Sequence, residues 1–177
     1  MGRSLLAHPR RRDLNRDAKR DLSRLRLRPA RPGDGPATHA VFFAAVREGA
    51  AAHYSDAERK AWAPSPEAPS SWEPRLLAGT TVVAEERGRI VGFMTLGSDG
   101  FLDLAYVDPG WIGRGVGGLL HRAILEIARR AGLALLATEA SLVARGFFHR
   151  QGWRETARQS VIRHGVALTN FRMELAL

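Results

Sequence analysis

Alternation of apolar and polar residues is the first regularity along the chain, and it predicts a run of β-strands. A short alternating segment covers residues 25–29. Three apolar, β-branched segments separated by short glycine-containing turns follow at residues 80–85, 90–96 and 101–107. Such segments are typical of strands joined by tight turns. The middle of the chain is therefore predicted to be an antiparallel meander.

A helical period is clearest after the meander, where apolar residues recur on one face of a predicted helix. These are Val116, Leu119, Leu120, Ala123, Ile124, Ile127, Ala128 and Ala131. The pattern places His121 on the opposite, polar face together with charged residues. Gly132 is expected to end the helix in the left-handed conformation.

Weaker patterns complete the prediction. Ser55, with Glu58 three residues later, predicts the start of a helix through Trp62, and a Pro/Ser-rich loop is expected at 64–74. The remaining predicted elements are helices at 36–51 and 142–150, a buried strand at 133–138, and a hairpin formed by 156–163 and 166–175. The fold class is therefore α+β, with six or seven strands in a mostly antiparallel sheet and about four helices.

Composition narrows the classes of function. The 177 residues are 45% hydrophobic and 25% charged, as in one globular domain. The absence of cysteine excludes disulfides, thiolate metal sites and a cysteine nucleophile. The histidines lack ligand spacing, so no metal is expected. With neither a long apolar stretch nor a signal-peptide pattern, the prediction is a cytoplasmic protein without membrane contact.

The net charge of +9 is concentrated at the start of the chain. Residues 1–24 contain eight Lys or Arg against three Asp, whereas residues 25–177 contain nineteen Lys or Arg against fifteen Asp or Glu. We interpret 1–24 as a basic, disordered leader and 25–177 as the folded domain. The leader lacks groups that read bases, so no specific nucleic-acid partner is expected, although a weak arm for phosphate backbones is the alternative.

Glycines are densest between the third meander strand and the long helix. Gly110, Gly113, Gly115, Gly117 and Gly118 all fall within nine residues. Successive backbone N–H groups in such a loop can converge on an anion, assisted by the helix N-terminus. The loop predicts a phosphate ligand, and close helix–sheet packing is the structural alternative for the glycines.

The spacing Gly113-x-Gly115-x-x-Gly118, with Glu139 21 residues further on, formally matches a dinucleotide-binding fingerprint. Such a fold, however, places its first glycine at the strand end and repeats strand–helix units. A meander precedes this loop, and fewer than 40 residues follow Glu139. A dinucleotide-binding oxidoreductase is therefore the less favoured alternative.

Two segments resemble the motifs of the GNAT acyltransferases. Val107-Asp-Pro followed by Gly113-Arg-Gly-Val-Gly117 resembles their motif A, and Ser141-x-x-Ala-x-x-Phe147-Phe148-x-x-x-Gly-Trp153 resembles their motif B. The segments 53–55, 61–64 and 168–174 are similar to the YafP-like branch. The resemblance covers the order of elements from Leu25 onward and implies the GNAT fold.

The resemblance implies acetyl-CoA as co-substrate and a primary amine, on a small molecule or a protein, as acceptor. It assigns CoA binding to Ala105, Tyr106, Val107, Ile112, Gly113, Arg114, Gly115, Val116, Gly117, Gly118, Ser141 and Phe148. Two positions depart from the family pattern: Ile112 replaces a usual Gln or Arg, and Phe148 replaces a Tyr that in many members protonates the leaving thiolate. The second departure leaves open an acyl-CoA-binding module with little catalysis.

Catalytic candidates come from strand alternation and from the acceptor side. Asp103 is predicted to share one strand face with Ala105 and Val107 and to bind or deprotonate the amine, unless it is simply paired with an arginine. Tyr54 is predicted to line the acceptor cleft, with packing under a loop as the alternative. Trp62 and Trp72 are assigned to the core, with the aromatic wall of a cleft as the alternative. The chain is expected to be a monomer or a homodimer.

Overall fold

Seven strands form one sheet in the order β1-β2-β3-β4-β5-β7-β6. The computed structural model describes Leu22 and residues 24–177, so the predicted leader lies outside the described residues except for Leu22 and Arg24. The strands are β1 (Leu25–Pro29), β2 (Thr80–Glu86), β3 (Arg89–Leu96), β4 (Phe101–Val107), β5 (Leu135–Ser141), β6 (Arg154–Arg163) and β7 (Val166–Ala176).

All neighbouring strands pair antiparallel except β4 and β5, which are parallel. The predicted meander corresponds to β2, β3 and β4, and the predicted terminal hairpin to β6 and β7. A dinucleotide-binding fold needs repeated parallel strand–helix units. The single parallel pair in the described sheet does not provide them, so the oxidoreductase alternative is not supported.

Five α-helices cover the two faces of the described sheet. They are α1 (Gly35–Ala44), α2 (Asp56–Trp62), α3 (Trp72–Ala78), α4 (Val116–Arg130) and α5 (Leu142–Arg150). One core lies under α4 and α5 and contains Leu120, Ile124, Phe148 and Trp153. The other lies under α1 and α3 and contains Phe42, Leu76 and Phe93. The sheet therefore has a buried core on each face.

The structure corrects the predicted loop at 64–74, because helix α3 begins at Trp72 and contains Pro74. Proline lacks a backbone N–H and usually ends a helix, which is why the sequence predicted a loop there. Pro74 lies in the first turn of α3, where the N–H has no intrahelical acceptor. The helix predicted at 36–51 is present as a continuous helical segment, in which α1 ends at Ala44 and a π-helix follows at Ala45–Gly49.

Local signals placed two helix ends correctly. Ser55 and Glu58 form the expected reciprocal capping box at the start of α2. After α4, Gly132 has φ +72°, and the N–H of Leu133 donates to the Ala128 carbonyl at 3.1 Å. This is the hydrogen bond of a Schellman motif. The next strand, β5, starts later than predicted and alternates between buried and exposed residues rather than being fully buried.

His121 is buried, which corrects its assignment to the polar face of α4. Its Nε2 accepts a hydrogen bond of 2.9 Å from the Trp153 indole N–H, so the ring is neutral. Burial, with smaller contributions from Arg122 and Arg129, lowers the pKa of His121 to about 4. Sequence periodicity misplaced the residue because its partner comes from another segment, 32 positions further on.

Candidate active site

A gap opens between β4 and β5 because the two strands pair only at their beginnings. Phe101 is opposite Ala137 and Leu102 is opposite Thr138, and the Thr138 hydroxyl donates to the Leu102 carbonyl at 2.8 Å. Both strands continue for several residues beyond this junction. A backbone edge of each strand is thus left facing the gap, and a cavity lies on either side of it.

The glycine-loop cavity, of about 420 Å³, lies between the glycine loop and the ends of β4, β5 and α5. Eleven of the twelve residues assigned to CoA line it, namely Ala105, Tyr106, Val107, Ile112, Gly113, Gly115, Val116, Gly117, Gly118, Ser141 and Phe148. Arg114 is not among the lining residues, and its guanidinium lies 5.4 Å from the centroid of the Trp111 ring. The structure therefore brings together nearly all of the predicted set.

The loop geometry fits a phosphate group. Gly113 and Gly115 have φ of +77° and +91°, a conformation that favours glycine. Gly115 is the N-cap of α4 and has no side chain with which to cap the leading N–H groups of the helix. Those amides and the positive end of the helix dipole are available to an anion. A Cβ on Gly113 would meet no atom within 4 Å, so this side of the loop is open.

Backbone N–H groups on β4 also point into the gap. The Asp108 N–H donates to the Val91 carbonyl on β3 at 2.9 Å, and Gly92 is opposite Val107. Antiparallel pairs alternate between hydrogen-bonded and non-hydrogen-bonded positions. Val107 and Ala105 therefore direct their N–H groups away from β3, toward the side on which β5 has separated. They are suitably placed donors for a carbonyl oxygen that develops negative charge.

Ser141 and Phe148 complete the glycine-loop cavity from the motif B side. The Ser141 hydroxyl accepts a hydrogen bond of 3.1 Å from the Ala144 N–H, so Ser141 is the N-cap of α5. Phe148 is buried, with its ring centroid 5.0 Å from that of Trp153. It contributes an apolar wall and has no group that transfers a proton.

The aromatic cavity, of about 530 Å³, lies on the other side of the gap. Its walls combine aromatic rings with three carboxylates and two arginines: Phe42, Tyr54, Trp62, Trp72, Phe101, Tyr106, Glu67, Asp103, Glu139, Arg75 and Arg163. Trp62, Tyr106 and Ser141 line both cavities. The two cavities therefore meet at these three residues.

A β-bulge at Asp103 corrects the predicted alternation of β4. Thr95 is opposite Leu104, whereas the next residue of β3, Leu96, is opposite Leu102, so Asp103 is the extra residue. A bulge interrupts strict alternation. Asp103 consequently lines the aromatic cavity, while Ala105 and Val107 line the glycine-loop cavity. The prediction that these three residues share one face is wrong.

Asp103 forms a bidentate ion pair with Arg75 of α3. The Arg75 Nε and NH2 atoms lie 2.7 and 2.6 Å from the two carboxylate oxygens. The Asp103 side chain is 28% exposed, so a second group can still approach it. This contact was the structural alternative named for Asp103, and it adds a positive charge to the same wall of the cavity.

Tyr54 is buried and holds three segments together. Its hydroxyl donates to the Thr169 carbonyl at 2.6 Å and accepts from the Leu142 N–H at 2.9 Å. Burial raises the pKa of this phenol. Tyr54 lines the aromatic cavity as predicted, but these bonds give its hydroxyl a structural task. Trp72 is also buried, as expected, whereas Trp62 is only partly buried.

Glu139 is a site residue that the sequence interpretation missed. It lies on β5 at the gap and lines the aromatic cavity, and its Oε2 accepts a hydrogen bond of 3.2 Å from the Asn170 amide. Its neighbours Thr138 and Ala140 are buried, while Glu139 is exposed. Alternation along β5 would have placed Glu139 on the same face as Ser141. In the sequence, Glu139 was assigned only to the dinucleotide pattern.

Within the part of the chain that the structure describes, no group of three or more His, Asp or Glu residues lies close enough together to hold a metal ion. None of the described helices combines the length and apolar character needed to cross a bilayer.

Comparison with known proteins agrees with this geometry. Residues 50–175 match the family model described as "Acetyltransferase (GNAT) domain". The "Uncharacterized N-acetyltransferase YafP" of Escherichia coli is 31% identical over 152 residues, which cover 86% of this chain and 96% of that protein. A GCN5-related N-acetyltransferase from Rhodopseudomonas palustris has 33% identity and a TM-score of 0.82, covering 86% of this chain and 95% of its own.

A more distant structure shares the fold. PaiA N-acetyltransferase from Thermoplasma acidophilum, solved in complex with coenzyme A, has 14% identity and a TM-score of 0.67, with 86% of this chain and 99% of that chain covered. The split sheet, the glycine loop at the start of α4 and the family match over residues 50–175 lead to one conclusion. The chain belongs to the GNAT family of acetyl-CoA-dependent N-acetyltransferases.

Proposed function

We propose that this enzyme transfers an acetyl group from acetyl-CoA directly to a primary amine, with one substrate in each cavity. The observation that carries the proposal is the gap between β4 and β5, where the two cavities share Trp62, Tyr106 and Ser141. A donor and an acceptor entering from opposite sides would meet there. Direct transfer needs such a meeting point and no nucleophilic residue.

The glycine-loop cavity is the proposed site for acetyl-CoA. The diphosphate would bind the free amides around Gly113, Gly115 and Gly117 at the start of α4. The N–H groups of Ala105 and Val107 would donate to the thioester oxygen as negative charge develops on it. Because these donors are backbone groups, replacement of the family's usual side chain by Ile112 leaves them in place.

The aromatic cavity is the proposed site for the amine. An amine enters as an ammonium ion and becomes nucleophilic only after losing a proton. We assign proton removal to Glu139, whose Oε2 has one hydrogen bond, from Asn170. Asp103 is assigned to electrostatic binding of the ammonium, because both of its oxygens already accept hydrogen bonds from Arg75. Tyr54 is assigned to holding the cavity wall.

The experiment measures thiol release from acetyl-CoA with a panel of primary amines, alongside CoA binding by calorimetry. Thiol release that depends on the amine, with stoichiometric amide formation, is the expected result. CoA binding without turnover for any amine would instead favour the acyl-CoA-binding module, the alternative that Phe148 keeps open. Absence of CoA binding would refute both.

A further inference from the structure

Proton supply to the leaving sulfur is a step for which the motif B position has no group. Phe148 occupies the place of the usual tyrosine, and its buried ring ends in a carbon. The chain contains two tyrosines. The Tyr54 hydroxyl is bonded to Thr169 and Leu142. Tyr106 is the remaining phenol, and it lies where the two cavities meet.

Neighbouring elements fix the Tyr106 ring. Its centroid lies 5.0 Å from that of Phe42 on α1, 5.7 Å from Phe93 on β3 and 6.4 Å from Trp62 on α2. The residue nevertheless lines both cavities. It also lies between Ala105 and Val107, whose N–H groups point into the gap. The ring is thus held rigidly on the aromatic-cavity side of the junction between the two cavities.

The hydroxyl has a proton to give. Among the described residues no acceptor receives a hydrogen bond from it. Burial raises the pKa of Tyr106 to about 12. Smaller opposing contributions come from the Trp62 side chain, Arg75 and Arg163, and the negative charge of Asp103 adds to the rise. The phenol is therefore protonated at neutral pH, as an unperturbed tyrosine also is, and its raised pKa makes it a weaker acid.

We propose that the Tyr106 hydroxyl protonates the sulfur of coenzyme A as the carbon–sulfur bond breaks. The amine nitrogen forms a bond to the carbonyl carbon, and the sulfur leaves with the electron pair of the broken bond. Sulfur takes the proton of Tyr106, and the phenolate recovers a proton lost by the amine nitrogen, directly or through solvent. The products are the amide and the free thiol. This proposal rests on the proposed acetyl transfer.

The test compares Tyr106→Phe with the wild type. Loss of a general acid lowers rate by about 10²–10⁴-fold, so we expect kcat to fall in that range while the Kd for CoA and the KM for the amine stay within about threefold. A kcat within threefold of wild type, or a change confined to the KM of the amine, would overturn the proposal.

Two further variants separate proton transfer from packing. Tyr106→His supplies an acid of lower pKa, so its kcat should decline as pH rises through about 6.5, a limb that the wild type lacks. Adding Phe148→Tyr to the Tyr106→Phe variant should raise kcat at least about tenfold above that of Tyr106→Phe alone. If Tyr106→Phe does not fold, the Tyr106→His variant provides the test. A kcat of that variant that does not change between about pH 5.5 and 8 would refute proton donation by Tyr106.

Failure of this inference is distinguishable from failure of the proposed function. If the wild type is active and Tyr106→Phe has the same kcat, only the role assigned to Tyr106 is refuted. A wild type that releases no thiol with any amine would remove acetyl transfer and, with it, the step assigned to Tyr106.

Discussion

The two cavities on either side of the β4–β5 gap are built in different ways. The glycine-loop cavity takes most of its walls from two continuous segments, 105–118 and 141–151, and offers mainly backbone amides. The aromatic cavity collects side chains from α1, α2 and α3, from the loop between α2 and α3, and from β4, β5, β6 and β7. Recognition by backbone survives most substitutions in the loop, whereas recognition by side chains depends on each residue.

This difference suggests which cavity determines specificity. We expect the amides at the start of α4 to bind a diphosphate even though the exposed Ile112 replaces the usual Gln or Arg. In the aromatic cavity the charge balance rests on Glu67, Asp103 and Glu139 against Arg75 and Arg163. Single substitutions in the aromatic cavity should change which amine is accepted and leave the affinity for CoA unchanged. The predictions below test this separation, beginning with the largest effect.

Gly115→Glu should abolish CoA binding and with it all activity. A carboxylate at the N-cap of α4 would occupy the proposed anion site, and losing two or three charge-assisted hydrogen bonds of about 1.5–3 kcal/mol each lowers affinity by more than about 10²-fold. Calorimetry with CoA measures the loss. Gly88→Glu is the control, because Gly88 also has positive φ (+83°) but lies in the β2–β3 turn with open space around it, whereas a Cβ on Gly115 would lie 3.1 Å from the Leu22 Cδ1 atom. Equal losses in both variants would indicate misfolding.

Glu139→Gln should lower kcat by about 10²-fold or more while leaving CoA affinity unchanged, since it removes the proposed proton acceptor. Steady-state kinetics across pH give both values, and the effect should shrink at high pH, where the amine loses its proton unaided. Glu126→Gln, an exposed change on α4, is the control. A parallel drop in CoA affinity would contradict the assignment of Glu139 to the acceptor side.

His121 should make the core under α4 sensitive to acid. The pKa of His121 is about 4 in the folded protein and about 6.5 in the unfolded chain, so the unfolded chain binds the proton first as pH falls. The contribution of His121 to the free energy of unfolding is complete above about pH 6.5. This free energy falls by up to about 3 kcal/mol as the pH decreases to about 4.

Urea unfolding of His121→Gln between pH 7 and 4 checks this effect of His121. Glutamine can still accept the Trp153 N–H but does not titrate, so the variant should show a shallower fall than wild type. His149→Gln, on the exposed side of α5, should keep the wild-type slope. If the free energy of unfolding changes with pH to the same extent in all three proteins, protonation of His121 is not coupled to unfolding.

Asp103→Asn should give the smallest effect, a rise of up to about fivefold in the KM for the amine, because a partly exposed charge contributes about 1 kcal/mol at most. Arg75→Gln breaks the same ion pair but keeps the carboxylate, so its KM for the amine should fall or stay unchanged. If both variants raise KM equally, the pair serves only to hold the cavity wall.

Local signals predicted the elements whose cause lies within a few residues. The capping box at Ser55, the Schellman end at Gly132 and the glycine loop before α4 are decided by hydrogen bonds between near neighbours. Helix α3 was missed because Pro74 is compatible with a first turn as well as with a loop. The sequence pattern alone does not distinguish these two cases.

Side chains at the gap were harder to predict because a bulge and pairings between distant segments decide where they point. Asp103 was assigned to the wrong face, since no local signal marks the extra residue opposite β3. Glu139 was missed because its relation to Asp103 depends on where the parallel pairing of β4 and β5 stops. His121 was assigned to solvent because Trp153 reaches it from beyond α5.

The sequence by itself determined the α+β class, the order of the strands and of every α-helix except α3, and the glycine loop at the start of α4, because backbone geometry and periodicity are encoded within short windows. Only the tertiary structure decided that β4 and β5 separate, that the two cavities meet at Tyr106, and which carboxylates face the acceptor side. These features arise from contacts between residues far apart in the chain, and their free energies depend on packing that no single segment specifies.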